Sequence, residues 1–202
     1  MPEREKPNRM IVAMTGASGA PYARTMLRAL GEARVETHVT ISDGFFEVAK
    51  LEEVGFPQSD KVDLREWAGT DGDFHYYHHS KIGAPIASGS FRTCGMIVVP
   101  CTSATLGCIA SGSGKSLVER AAEVTMKEGR NLALLLRESP LSAIALENAL
   151  RLSRAGVHIV PTCPAFYVQP KTVQDIVDFT VARALDLFEV DHDLSKRWGE
   201  PN

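Results

Sequence analysis

Short apolar runs alternate with longer stretches of helical periodicity along most of this chain. Five runs have the length of buried strands, at residues 11–14, 35–42, 96–100, 132–136 and 157–160. Apolar positions at helical spacing predict helices over residues 21–30, 45–53, 117–127, 142–154 and 173–188, and small residues after position 105 predict one more. Residues 55–80 are the least regular part, and no strand is predicted there. The alternation predicts an α/β protein, a three-layer doubly wound domain around a parallel sheet.

Composition narrows the classes of protein that this chain can represent. Its 202 residues are 44% hydrophobic and 23% charged, which is typical of one globular domain. The net charge of −3 gives no electrostatic footprint for nucleic acid. No apolar run has the length of a membrane span, and a polar start shows no secretory signal. The four cysteines form no C-x-x-C pair, so we expect neither zinc nor a disulfide framework, and a cytoplasmic location.

The first predicted strand runs directly into Gly16–Ala17–Ser18–Gly19–Ala20, with a helix predicted next. Such a turn leaves backbone N–H groups pointing at an anion, and Ser18 adds a hydroxyl. Three known motifs fail here: the dinucleotide fingerprint needs a glycine at Ser18, the nucleophile elbow needs one at Ala20, and a P-loop needs Gly-Lys-Ser/Thr. The alternative is a tight turn that binds no ligand.

Polar residues also follow the later strands, and the carboxyl ends of parallel strands share the edge where ligands bind. Ser42 follows the second strand, either as a ligand contact or as the cap of the next helix. The third strand ends in a hydroxyl-rich turn, made by Thr102, Ser103, Ala104 and Thr105. Arg137 and Glu138 follow the fourth, where they serve either chemistry or a helix-capping salt bridge.

The later part of the chain adds charge to this picture. Lys127, Arg137, Glu138, Tyr167 and Arg183 form a candidate cluster around a second anion. Hydroxyls and helix N-termini suit a phosphorylated planar cofactor. The residues alone therefore predict a nucleotide or flavin enzyme that acts on an anionic substrate.

A metal is not expected. His75, His78 and His79 lie close together in sequence, but no carboxylate or cysteine stands at ligand spacing near them.

At these motifs the chain resembles the flavin prenyltransferases of the UbiX family, which are flavodoxin-like flavoproteins. The resemblance runs in order from about residue 9 to residue 200, and the matching pieces are Thr15-Gly16-Ala17-Ser18-Gly19-Ala20, Ile41-Ser42, Ala87-Ser88-Gly89-Ser90, Gly95-Met96, Pro100-Cys101 with Thr105-Leu106, Glu119-Arg120-Ala121-Ala122-Glu123-Val124, Lys127-Glu128, Arg137-Glu138-Ser139-Pro140, Pro164-Ala165-Phe166-Tyr167 and Arg197-Trp198-Gly199-Glu200. Each piece is weak alone, and the ordered set is specific.

The resemblance implies a prenyl transfer to reduced FMN, without a metal, in a dodecamer. It implies that dimethylallyl monophosphate is the donor, that the product carries a fourth ring joining N5 and C6 of the flavin, and that a UbiD-type decarboxylase receives it. It implies that Ser18, Glu52 and Glu138 manage protons. It assigns FMN binding to Gly16, Ala17, Ser18, Ser42, Thr102, Ser103, Ala104, Thr105 and Arg137. It assigns the prenyl donor to Lys127, Tyr167, Arg183 and Trp198.

The resemblance also predicts how the chain is organised. A single flavoprotein domain spans residues 1–202, with a disordered start over about residues 1–8 and a C-terminal tail over the active site from about residue 189. One departure from the family is Lys81-Ile82, where an Asp-Trp pair is common, so an aromatic wall of the prenyl pocket is missing. Two other functions stay open: a flavin-dependent cysteine decarboxylase, and a non-catalytic companion subunit of a hydroxyarylate decarboxylase.

Overall fold

A six-stranded sheet forms the centre of the computed structural model, which describes residues 8–52, 56 and 62–195. Every neighbouring pair of strands is parallel, and the order is β3-β2-β1-β4-β5-β6. The strands are β1 (Arg9–Met14), β2 (Glu36–Ile41), β3 (Phe74–His78), β4 (Gly95–Cys101), β5 (Asn131–Leu136) and β6 (His158–Pro161). We call the edge where the strands begin the amino edge, and the edge where they end the carboxyl edge.

Helices cover both faces of this sheet. They are α1 (Ala20–Glu32), α2 (Asp43–Glu52), α3 (Leu64–Ala68), α4 (Ser103–Ser111), α5 (Leu117–Lys127), α6 (Ala143–Arg154) and α7 (Val173–Asp186). Alternate residues of β1 enter different cores: Val12 packs with α1 and α7, whereas Ala13 packs with α4 and α5. The predicted three-layer, doubly wound α/β fold is therefore confirmed.

Local signals explain why most elements lie where the sequence predicts them. Helix α5 has the predicted bounds, because Ser116 and Glu119 form a capping box at its start. Helix α7 begins with an equivalent box between Thr172 and Asp175. No helix among the described residues is long and apolar enough to cross a membrane.

Strand β3 is the element that sequence reasoning missed. Its residues Phe74–His78 read Phe-His-Tyr-Tyr-His, without an apolar run, and none of the five is fully buried. Pairing with β2 alone places it at the end of the sheet, where a strand needs less apolar surface. The sheet therefore has six strands, one more than the five apolar runs of the sequence.

Sequence order reverses between β1 and β4, which lie side by side although β1 is also paired with β2. In doubly wound sheets this reversal opens a crevice at the carboxyl edge, and ligands bind there. The fold therefore places the candidate site at the loops that follow β1 and β4.

Candidate functional site

Thr15 ties together the two loops at this crevice. Its Oγ1 donates a hydrogen bond to the Pro100 carbonyl (2.8 Å) and accepts one from the Thr102 amide (3.0 Å). The Thr15 amide also donates to the Pro100 carbonyl (3.2 Å). Because Thr15 is buried, these bonds fix the loop after β1 against the loop after β4.

Glu52 occupies the N-terminus of α1. Its Oε2 accepts hydrogen bonds from the amides of Gly19 and Ala20, both at 2.8 Å. The sequence predicted unpaired amides in this turn that point at an anion; two of the amides, at Gly19 and Ala20, point at a carboxylate of the chain itself. The role of the turn toward FMN stays a prediction. Glu52 reaches this point because α2 lies across the carboxyl edge, with Gly44 at its start packed on Gly16.

A side chain at Gly16 has no room beside α2. A Cβ there would lie 2.7 Å from the Gly44 backbone. Ala17 beside it is buried, whereas Ser18 is exposed at the mouth of the crevice. The glycine at position 16 is therefore required by close backbone packing.

The N-terminus of α4 lies on the other side of the crevice. Thr102 caps it, because its Oγ1 accepts a hydrogen bond from the Thr105 amide (2.9 Å) and donates one to the Thr105 hydroxyl (2.9 Å). The amides of Ser103 and Ala104 have no partner inside the helix, as in the first turn of any helix. No described carboxylate accepts a hydrogen bond from these two amides, in contrast to the amides that begin α1, so they can bind an anion.

Arg137 and Glu138 leave the end of β5 beside these two loops. Arg137 Nε donates to the Ser18 carbonyl (3.1 Å), and the Ser103 hydroxyl donates to Glu138 Oε2 (3.1 Å). No carboxylate in the described part of the chain pairs with Arg137. Within the described residues, its guanidinium therefore lies near the start of α4 without an ion pair, and the alternative of an Arg137–Glu138 capping salt bridge is not what forms.

Ser42 and Cys101 have local roles. The Ser42 hydroxyl accepts a hydrogen bond from the Phe45 amide (3.3 Å), as expected of a helix cap, and its role toward a ligand stays a prediction. Cys101 is fully buried at the end of β4, and this burial raises the pKa of its thiol to about 12. At neutral pH the Cys101 side chain is an uncharged, unreactive thiol.

Lys127 lies at the opposite edge of the sheet from Arg137 and Glu138. It ends α5, and four residues later β5 begins, so Lys127 is at the amino edge. Glu138 follows the far end of β5, and six residues of strand separate the two edges by about 20 Å. Lys127 instead pairs with Glu128, and this ammonium group lowers the pKa of the Glu128 carboxyl. One chain therefore does not bring Lys127 to Glu138.

Arg183 lies on the opposite face of the sheet from Lys127. It is one turn before the end of α7, where Asn131 Nδ2 donates to the Leu187 carbonyl (3.3 Å) at the amino edge. Its guanidinium pairs with Asp186 (2.8 Å). Tyr167, which is exposed, packs edge-on against Phe179, one helical turn before Arg183. Tyr167 and Arg183 thus share one flank of α7, away from Lys127.

The described part of the C-terminal segment packs near the end of α1. His192 is almost fully buried and lies 3.2 Å from the Asp186 carboxylate, and Leu194 packs on the core below α1. Residues 191–194 do not lie over the crevice of their own chain. Trp198, predicted to contact the prenyl donor, lies outside the described residues, as does most of the predicted disordered start. Asn8 is held by a hydrogen bond to the Arg34 carbonyl (2.9 Å).

Two details correct the sequence analysis. The histidines of β3 do have a carboxylate neighbour, because the sheet brings Asp43 beside His78 and His79. Sequence spacing could not show it, since 35 residues separate Asp43 from His78. Ile82, at the position where the family often has a tryptophan, is exposed.

Comparison with known proteins identifies the family. The Flavoprotein family model matches residues 1–185. The chain belongs to the Flavoprotein family. Within it, the chain is 47% identical over 191 residues to a probable UbiX-like flavin prenyltransferase of Escherichia coli O157:H7, covering 94% of this chain and 92% of that one.

Two solved structures extend this result for the flavoprotein. AnUbiX (PadA1), crystallised in complex with FMN and dimethylallyl pyrophosphate, has a TM-score of 0.84 and 39% identity over 98% of this chain and all of that chain. A dodecameric FMN-dependent UbiX-like decarboxylase from Escherichia coli O157:H7 has a TM-score of 0.83 and 44% identity, over 95% of this chain and all of that chain. The resemblance inferred from the sequence motifs is therefore confirmed.

Proposed function

We propose that this flavoprotein is a flavin prenyltransferase, which transfers a dimethylallyl group from dimethylallyl monophosphate to N5 and C6 of reduced FMN. The observation that carries the proposal is that Arg137, which forms no ion pair among the described residues, lies beside the unpaired amides that begin α4, at the crevice of the sheet. A cation and unpaired amides at one point are a binding site for a phosphate group. The named relatives support FMN as the molecule that supplies this phosphate.

The residues present fit FMN. The turn from Thr102 to Thr105 and Arg137 would hold the phosphate, while Gly16, Ala17, Ser18 and Ser42 line the crevice along the rest of the molecule. Reduced FMN supplies the two nucleophilic atoms that accept the prenyl carbons. The chain contributes binding, orientation and proton transfer around it.

Two carboxylates are placed to move protons. Glu52 uses only Oε2 to hold the α1 amides, and its Oε1 has no hydrogen bond to any described residue. That oxygen, with the exposed Ser18 hydroxyl nearby, is available to exchange a proton at flavin N5. Glu138 is exposed and is oriented by the Ser103 hydroxyl, so it can accept the proton released when the ring closes.

Departure of phosphate from an allylic carbon builds negative charge on the leaving group, which cations stabilise. Lys127, Arg183 and Tyr167 have suitable donors, but Lys127 lies an entire strand length from Glu138 and on the other face from Arg183. We infer that the prenyl-phosphate site is shared between subunits, so that Lys127 of one copy serves the Glu138 of another. The dodecameric relative is consistent with such packing.

The partner, the assembly and the location of the protein follow from the proposed prenyltransferase function. We infer that the product serves a UbiD-type decarboxylase, that the protein assembles as a dodecamer, and that the C-terminal segment closes a neighbour's site. None of the four cysteines forms a disulfide, which suits the reducing cytoplasm.

Anaerobic incubation of the protein with reduced FMN and dimethylallyl monophosphate tests the proposal. Mass spectrometry of the extracted flavin should show FMN heavier by one five-carbon unit. Glu138→Gln should bind FMN normally and yield little of this product, whereas Glu147→Gln, an exposed glutamate of α6, should behave like wild type.

The competing function is decarboxylation, because the relative with the 0.83 TM-score is titled a decarboxylase. Release of carbon dioxide from an aromatic acid or a cysteinyl peptide, without a heavier flavin, would favour it.

A further inference from the structure

A second set of chemically reactive side chains lies on the carboxyl edge, two strands from the crevice. It consists of Asp43, at the start of α2, and His78 and His79, at the end of β3. We propose that these three side chains form a Zn²⁺ site. None of the three side chains is assigned to FMN or to the prenyl phosphate, so the site goes beyond the proposed function.

The geometry matches tetrahedral zinc. One ligand atom from each side chain can be chosen so that all three lie within 4.8 Å of one another. Asp43 Oδ2 is 3.0 Å from His79 Nε2, and Asp43 Oδ1 is 3.9 Å from His78 Nε2. Bonds of about 2.1 Å at a tetrahedral angle place neighbouring ligand atoms about 3.4 Å apart, between these two values. An ion therefore fits with small movements of the side chains.

The surroundings orient the ligands for a metal. Ser80 Oγ lies 2.7 Å from His78 Nδ1, and the Ser80 amide donates a hydrogen bond to the same nitrogen (3.3 Å). Nδ1 is therefore occupied, and Nε2 is the ring nitrogen that faces Asp43. The His79 carbonyl accepts a hydrogen bond from the Leu117 amide (2.7 Å), which fixes the backbone where the two histidines leave the strand. No lysine or arginine among the described residues pairs with Asp43. Its charge is thus available to a cation.

A second carboxylate–histidine set in the same sheet shows what a structural cluster looks like. Glu36, His38 and His75 also have ligand atoms within 4.8 Å. There Arg9 Nε lies 2.7 Å from Glu36, and the pKa of the Glu36 carboxyl is lowered mainly by this arginine. His38 is buried, with both ring nitrogens engaged by Glu36 (2.8 Å) and Tyr77 (3.0 Å). Arg9 neutralises the carboxylate of this cluster, and both nitrogens of His38 are already hydrogen-bonded, so the cluster offers no free ligands to a cation.

The donor set narrows the choice of ion. Two imidazoles and one carboxylate suit Zn²⁺ and other divalent transition metals, including Fe²⁺, whereas Mg²⁺ and Ca²⁺ prefer oxygen ligands alone. We commit to Zn²⁺, which tetrahedral sites of this kind bind. Three protein ligands leave a fourth position for water, and Asp43 is exposed enough for an ion to enter from solvent. Zinc at this point would bridge the start of α2 and the end of β3.

Isothermal titration of the full-length, EDTA-treated protein with ZnCl₂, without flavin or prenyl donor, tests the site. We expect one saturable ion per chain. His79→Ala should weaken binding by at least about tenfold, the loss that removal of even an outer-shell partner causes. Asp43→Asn should weaken it similarly, and His75→Ala, in the neutralised cluster, should not.

Titration with Co²⁺ gives a second readout, because tetrahedral Co²⁺ absorbs strongly in the visible range. The band should appear with wild type and His75→Ala and be absent with His79→Ala. Should His79→Ala fail to fold, His78→Gln and Asp43→Asn replace it. Absence of saturable Zn²⁺ binding by wild type, or equal binding by all variants, would overturn the site. Neither result bears on prenyl transfer, which is measured without added metal.

Discussion

The two edges of the sheet differ in how far a single chain connects the candidate binding residues that lie there. At the carboxyl edge, Thr15 joins the loops after β1 and β4, and Arg137 and the Ser103–Glu138 pair join both to the end of β5. At the amino edge, Lys127 and Arg183 lie on opposite faces and pair only with neighbouring acids. The fold of one chain therefore holds the carboxyl-edge residues together. The two amino-edge cations lie too far apart in one chain to contact the same ligand.

This difference separates two kinds of phosphate binding. A phosphate that stays bound can be held by amides, hydroxyls and one arginine on loops that are already connected. A phosphate that leaves during the reaction needs more cations, and the proposed function draws those cations from other copies of the chain. The carboxyl edge should therefore control FMN affinity, and the amino-edge cations should control the rate of prenyl transfer.

Removal of an amino-edge cation should have the largest effect. We expect Arg183→Leu to lose about 2–4 kcal/mol of transition-state stabilisation, a rate loss of roughly a hundredfold or more. Lys127→Ala should behave alike, and Tyr167→Phe should lose less. Single-turnover prenyl transfer and FMN titration on the same samples measure the two properties. Lys50→Ala, an exposed helical lysine paired with Glu47, serves as the control and should keep its rate. If Arg183→Leu lost FMN but kept its rate per bound flavin, this arginine would bind the FMN phosphate and not the prenyl phosphate.

Removal of Arg137, the cation at the carboxyl edge, should lower the affinity for FMN rather than the rate of prenyl transfer. Arg137→Leu should weaken FMN binding by about tenfold to a hundredfold, because a hydrogen bond to a charged group contributes about 1.5–3 kcal/mol. Fluorescence titration of flavin measures this, with Arg154→Leu, at the exposed end of α6, as the matched control. Unchanged FMN affinity in Arg137→Leu would remove the main support for the crevice as the phosphate site.

Loss of the link between the two crevice loops should have the smallest effect. Thr15→Val keeps the shape of the side chain but leaves the Thr102 amide without its acceptor. The free energy of unfolding should fall by about 1–3 kcal/mol, measured by urea denaturation beside Ser113→Ala, an exposed serine. Equal stability of the two variants would show that the loops do not depend on Thr15.

The sequence predicted the carboxyl edge better than the rest. Strand ends are visible as apolar runs followed by Gly16, Thr102 or Arg137, and parallel strands bring such residues together without further information. The role of Glu52 at α1 was not visible, because it depends on α2 lying across the edge. Strand β3 was missed because its aromatic and histidine residues show no apolar run.

The amino edge could not be predicted from motifs alone. Lys127, Arg137 and Arg183 follow one another along the chain, and their order suggested a single cluster. Only the direction of α5 and α7 against the strands places Lys127 and Arg183 far from Glu138. Sequence order carries no information about which edge or face a helix end occupies.

Mixed assemblies test the shared prenyl-phosphate site most directly. Lys127→Ala and Glu138→Gln chains, given different affinity tags, are co-expressed and purified through both tags. If Lys127 of one copy serves the Glu138 of another, random assembly restores both residues in about a quarter of the sites of a symmetric oligomer. Prenyl transfer should then rise to about a quarter of the wild-type rate, well above that of either variant alone. Assemblies of the double variant Lys127→Ala/Glu138→Gln provide the baseline. A mixed assembly no more active than the single variants would contradict the shared site.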